Sequence, residues 1–121
     1  MISQNLLSIC RNELTRFYAK KGAERCGFVL KDNTIVEVRN VCHNPEEGFE
    51  IDPFDIIEYT ENHECVATWH THPDYPSNLS GEDFRTFKDY KNLHHFIVGN
   101  DGVRCYKFDE TRKTIIEVLD A

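Results

Sequence analysis

The sequence predicts one mixed α+β domain, with helices packed against a single curved sheet of mixed strand direction. Three observations predict it. The chain has 121 residues, the size of one ordinary domain spanning 1–121. Its 40% apolar and 29% charged content suits a globular core and not a disordered chain. Segments with helical apolar period alternate with short strand-like runs bounded by turn residues.

The elements follow in order. Residues 3–20 read as a helix, because Leu6, Leu7, Cys10, Leu14, Phe17 and Tyr18 share one face, and Gly22 closes it. Residues 26–30 are a short apolar strand. Residues 31–33 (Lys-Asp-Asn) turn, and 34–41 return with alternation, giving a hairpin. Residues 43–48 are loop-like. Phe49 and Ile51 form a strand fragment, after which Asp52 is placed to cap a helix with Pro53 at its first position. Ile56, Ile57 and Thr60 are that helix's expected buried side. Residues 65–69 are a buried strand. Ser80 begins a third helix, with Phe84, Phe87 and Tyr90 inward. A strand over 95–98, a hairpin turn at Asn100-Asp101-Gly102, and strands over 103–108 and 114–119 complete the chain.

Composition excludes several functions. Fourteen Lys and Arg against 21 Asp and Glu give a net charge of -7, which disfavours a nucleic-acid or anionic-membrane surface. No apolar run approaches the roughly 20 residues of a membrane span. The N-terminus lacks the basic start and apolar stretch of a signal peptide. The five cysteines (Cys10, Cys26, Cys42, Cys65 and Cys105) are odd in number, with no C-x-x-C pair. They read as reduced thiols in a reducing compartment, so the expected location is cytoplasmic.

Chemistry concentrates in His70-Thr71-His72-Pro73 and the Ser80-Gly81-Glu82-Asp83 that follows. Side chains at i and i+2 of a strand share a face, so both imidazoles can converge at the strand end. Pro73 stops the strand. Asp83 falls in the first turn of the next helix, three residues after Ser80, as in a capping box. Two imidazoles and a carboxylate make a three-ligand zinc site with the fourth position left for water, the catalytic pattern. Such a site needs a nearby carboxylate to move protons. Glu24, before Arg25-Cys26-Gly27, is the candidate.

This pattern resembles the JAMM (MPN+) zinc metalloprotease family: His-x-His-Pro, six residues, Ser-x-x-Asp, and an upstream Glu before Cys-Gly. The resemblance implies an MPN (JAB) fold and one zinc per chain held by His70, His72 and Asp83. It implies Glu24 as general acid/base and Ser80 as donor to the oxyanion. More loosely, residues 40–44 and Phe49-x-Ile51-Asp52-Pro53 are similar to a segment of prokaryotic members. Together these features cover most of residues 22–105. Long insertions of the kind eukaryotic deubiquitinases use to grip ubiquitin are missing.

Other residues take blander readings. Cys26 reads as a buried structural thiol rather than a nucleophile. His63 and Cys65 have the opposite parity from His70 and His72. His43, His94 and His95 have nothing nearby to complete a ligand set. Trp69 is expected to pack on the other face of its strand. Ser77 rivals Ser80, but the spacing to Asp83 favours Ser80. His-Glu-x-x-His and the deaminase Pro-Cys-x-x-Cys are both missing, which excludes those zinc hydrolases.

The expected function is therefore zinc-dependent hydrolysis of a peptide or isopeptide bond. Three settings compete. The first is a phage tail-tip or tail-assembly peptidase acting on a tail protein or cell-wall peptide, located in the host cytoplasm or virion tail. The second is a prokaryotic deconjugase of ubiquitin-like modifiers. The third is a non-catalytic MPN scaffold, which the intact ligand set argues against. The short chain and the loop at 74–79 look similar to the phage domains. Expected partners are that protein or peptide substrate, with a homodimer or a tail-assembly protein as further partners, and neither nucleic acid nor membrane.

Overall fold

The computed structural model describes residues 2–119. Helix α1 (Gln4–Glu13) is capped by Ser3, whose hydroxyl accepts from the Leu6 amide, and it tightens into a 3-10 turn over Leu14–Phe17. Tyr18 is already extended, so the helix stops short of residue 20. Gly22, although at φ +106°, lies beyond its end rather than closing it. Strands β1 (Cys26–Leu30) and β2 (Ile35–Val38) form the expected hairpin, with Asn33 taking the left-handed turn position. The strand fragment at Phe49 and Ile51 reduces to a bridge between Asn40 and Ile51.

Helix α2 (Pro53–Ile57) starts as the Asp52-Pro53 pair predicts, with the Asp52 carboxylate accepting from the Phe54 amide, and runs into a π-helical turn over Glu58–Asn62. Its expected apolar side is a correction. Ile57 is 50% exposed, Thr60 is exposed, and Ile56 is only half-buried. Tyr59 makes the anchoring contact instead, stacked on Phe28 at 5.3 Å.

Strand β3 (Cys65–Thr71) runs two residues further than expected and so includes His70. Helix α3 (Gly81–Asp89) then crosses over to β4 (His94–Gly99), the parallel neighbour of β3. Strands β5 (Gly102–Asp109) and β6 (Thr114–Val118) follow antiparallel. The six strands make one mixed sheet in the order β2-β1-β3-β4-β5-β6.

Each face of the sheet buries its own cluster. Leu6, Leu7, Cys10, Leu14 and Phe17 of the first helical segment pack on Val29, Trp69, Phe96 and Val98. On the other face Phe87 of α3 packs with Ile97, Tyr106, Phe108 and Ile115. Trp69 is fully buried against Phe17 at 4.3 Å, on the face away from His70, as expected. Its indole N–H donates to the Val36 carbonyl at 3.1 Å across β1. That crossing requires glycine at position 27, where a Cβ would lie 1.8 Å from Val36 O and 2.7 Å from Trp69 Nε1.

Candidate metal centre

Strand register assembles the site. Cys26 of β1 pairs with His70 of β3 in antiparallel register. The pairing continues past the strand, since the Thr71 amide donates to the Arg25 carbonyl and the Arg25 amide to Thr71 Oγ1, both at 2.9 Å. One residue further, the same register sets Glu24 beside His72. The His72 amide in turn donates to the Val98 carbonyl at 2.8 Å, which ties the end of β3 to β4.

Asp83 arrives from α3. Ser80 Oγ accepts from the Asp83 amide at 3.1 Å, and Asp83 Oδ2 accepts from the Ser80 amide at 3.2 Å, completing the predicted capping box. Asp83 Oδ1 is 3.1 Å from His70 Nε2, Asp83 Oδ2 is 3.1 Å from His72 Nε2, and the two Nε2 atoms are 3.2 Å apart. A Glu24 carboxylate oxygen and the two imidazole nitrogens all lie within 4.8 Å of one another. Thus Glu24, His70, His72, Ser80 and Asp83 meet in one place.

The donor set fits a metal ion. His72 Nδ1 lies 2.9 Å from the Pro76 carbonyl and donates to it, so neutral His72 turns the lone pair of Nε2 inward. Without a metal, a proton on His72 Nε2 bridges to Asp83 Oδ2. With that proton gone, the His72 lone pair, the His70 nitrogen and Asp83 converge on one point, where a cation can take the proton's place. Zinc bonds of about 2.0–2.1 Å in a tetrahedron give ligand-to-ligand edges of about 3.3 Å, close to the 3.1–3.2 Å spacings seen here. No helix among the described residues is long and apolar enough to cross a membrane.

Burial sets the charge states. Glu24 is 9% exposed, and burial, helped by Asp83 and Glu82 and opposed by His72, pushes its carboxyl up to about 7. Burial would also raise Asp83. Hydrogen bonds from His70, His72 and Ser80 outweigh it and hold Asp83 well below the usual carboxylate range. Burial drives His70 down against the pull of Asp83. In His72 burial pulls the same way, but the Asp83 and Pro76 hydrogen bonds prevail and raise it.

Phe49, which the sequence marks only as part of a loose segment, belongs to this site. His70 Nδ1 is buried with no hydrogen-bond partner among the described residues. Its ring is held by stacking instead: Phe49 lies parallel at 4.3 Å and Phe87 presents an edge at 6.1 Å. The site opens into a cleft of about 580 Å³. One wall is Glu46, Glu47, Gly48 and Phe49; the other comes from Tyr75, Pro76, Asn78 and Leu79.

Ser77, the cysteines and the other histidines fall outside the site, while Ser80 lies in it. Ser77 is buried, and its hydroxyl and amide both donate to Asp101 Oδ1 at 2.8 Å. Ser80 Oγ, whose lone pair serves the helix cap, keeps its hydroxyl proton for a second bond in the cleft. Cys26 is fully buried and its thiol is pushed up to about 12 by burial, as an inert structural thiol should be. Among the described residues none of the five cysteines forms a disulfide. His63 precedes β3 rather than lying on it and approaches Glu58 at 3.4 Å. His95 stacks on Phe87 at 4.1 Å, accepts from Thr68 Oγ1 and donates to the Tyr90 carbonyl.

Comparison with known proteins agrees with this architecture. The family described as prokaryotic homologs of the JAB domain matches residues 9–111. The solution structure of protein DSY2949 from Desulfitobacterium hafniense shares the fold with a TM-score of 0.55 at 17% identity, over 95% of this chain and 84% of that one. Among curated proteins, none matches this sequence.

Proposed function

The chain belongs to the family of prokaryotic JAB-domain homologs, and from that premise we propose that it is a zinc-dependent hydrolase of peptide or isopeptide bonds. One observation carries the reading: two histidine Nε2 atoms and a carboxylate stand 3.1–3.2 Å apart at the floor of an open cleft, with a second buried carboxylate beside them. His70, His72 and Asp83 would hold the metal. Zinc, when bound there, supplies a Lewis acid and lowers the pKa of a bound water towards about 7.

The protein's own groups do the rest. Glu24 takes the proton of the attacking water and hands it to the departing amine as the C–N bond breaks. Its burial, which brings its carboxyl near neutrality, suits a group that must both accept and give a proton. Ser80 donates its hydroxyl proton to the carbonyl oxygen as negative charge develops. The substrate would be a protein or peptide segment lying in the cleft of about 580 Å³. Within this class we favour a phage tail setting, where the loop at 74–79 forms one cleft wall. Wall peptides and isopeptide conjugates of a ubiquitin-like modifier are the two substrates that separate it from a deconjugase.

Elemental analysis of protein purified without a metal-binding tag tests the reading. One zinc per chain, lost in His72→Ala, is the expected result. Glu24→Ala keeps the zinc and loses turnover; if the zinc leaves with Glu24, that residue is a ligand rather than the proton carrier. A protein that takes up no zinc even when it is supplied is a scaffold, and the hydrolase reading fails.

A further inference from the structure

Glu24 is not in a strand: β1 begins two residues later. Something else must hold its backbone in place. Its amide donates to the Pro45 carbonyl at 2.7 Å, and its carbonyl accepts from Asn40 Nδ2 at 2.9 Å. The same Asn40 nitrogen donates to the Gly48 carbonyl at 3.0 Å. Asn40 Oδ1 accepts from the Cys42 amide at 3.0 Å and the Glu50 amide at 3.1 Å. One side-chain amide therefore uses both donors and both acceptor lone pairs on backbone. It joins the segment carrying Glu24 to the turn at 45–48, whose Glu46, Glu47 and Gly48 wall the cleft.

We infer that Asn40 is the positioning residue of this site, fixing the Glu24 carboxylate over the metal ligands and holding the 45–48 cleft wall to it. The inference rests on the hydrolase reading above. A surface asparagine serving only its own loop would bond within that loop; three of these bonds do so, to Cys42, Gly48 and Glu50. The bond to Glu24, sixteen residues away in sequence, does not. Placement to within a fraction of an ångström matters for a group that must meet a small reacting molecule, because an error of about 1 Å costs roughly a hundredfold in rate.

Asn40→Asp is the informative variant. It keeps size and both acceptor bonds and loses donation to Glu24 and Gly48. Asn40→Ala, which removes all the bonds, is the harsher companion. The probe is acetohydroxamate bound to the zinc-loaded protein, because a chelating hydroxamate presents its own protons to a neighbouring carboxylate. Zinc content should stay at one per chain in Asn40→Asp, while acetohydroxamate binds about tenfold more weakly. In a Glu24→Gln background the same change should cost nothing further, since Asn40 acts through Glu24. Unchanged affinity in Asn40→Asp, or losses that multiply in the double variant, overturns the inference. Amide exchange gives an arm independent of metal: the Glu24 amide should exchange faster in Asn40→Asp, and equal protection also overturns it. Failure of the hydrolase reading shows separately, as wild-type protein that takes up no zinc, and it removes the Asn40 assignment with it.

Discussion

Replacing Gly99 with alanine reaches the metal site through a chain of contacts that ends on His72. A Cβ at position 99 would lie 2.2 Å from the Ser77 amide nitrogen, 2.4 Å from the Pro76 carbonyl carbon and 2.7 Å from Tyr75 O. Ordinary contact begins at 3.4 Å, so the backbone at 75–77 must retreat by about 1 Å. That backbone is held to β4 and its turn by the Asn100 amide on Tyr75 O at 2.9 Å and by Ser77 on Asp101. It also carries the Pro76 carbonyl that accepts from His72 Nδ1 at 2.9 Å. Overpacking of this kind costs about 1–3 kcal/mol, or several degrees in Tm. Losing the partner that orients a metal-binding imidazole weakens metal affinity by about 10- to 100-fold. Urea unfolding of the zinc-free protein reads the first effect, and zinc competition against a chromophoric chelator reads the second. Lower stability with unchanged zinc affinity would refute the coupling through Pro76. Unchanged stability would refute the close packing of residues 75–77 on Gly99.

Three further perturbations test other contacts. Asp83→Ala removes a proposed metal ligand and half of the α3 capping box, so zinc affinity should collapse and zinc-free stability drop by about 1 kcal/mol; an unchanged metal content removes Asp83 from the ligand set. Phe49→Ala takes away the ring stacked on His70, and zinc should bind about tenfold more weakly; calorimetric titration with zinc checks it, and equal affinity means the stack does not orient His70. His95 supplies a pH test. Burial, against a smaller opposing pull from the Tyr90 carbonyl, lowers it from 6.5 to about 4. The unfolded chain therefore binds the extra proton first as pH falls, so the stability tied to neutral His95 is whole above about pH 6.5 and is lost towards pH 4. Its upper bound is about 3 kcal/mol. Zinc-free wild-type protein should lose more stability between pH 7.5 and 5 than His95→Phe does; parallel curves would refute the assignment.

The parts of the site legible in the sequence are those built from near neighbours. His70 and His72 share a face because they are two residues apart at a strand end, and Ser80 and Asp83 make a capping box because they are three apart at a helix start. Glu24 is different. Its place beside His72 depends on β1 meeting β3 in one register across more than forty residues, which local pattern does not encode; only the family resemblance pointed to it. Phe49, Asn40 and Gly99 escaped functional assignment for the same reason, since each acts on a partner far away in the chain.

The elements that depart from their apolar spacing share a second cause. Apolar period predicts a buried face only where the fold supplies something to bury it against. Helix α1 has the sheet beneath it, and Leu6, Leu7 and Cys10 are buried as their spacing predicts. Helix α2 has only five residues before its π-helical turn, too few to present a full face, and none of them is buried. Its anchor, Tyr59, lies in that turn, three residues after Ile56 and one before the Thr60 expected on the buried side. The cleft inherits this arrangement. With α2 resting lightly on the sheet, the loop before it is secured by the side-chain amide of Asn40, the ring of Phe49 against His70, and the Glu24 amide on Pro45. The wall of the cleft and the buried Glu24 carboxylate are therefore fastened by the same few contacts, so a change that loosens one displaces the other.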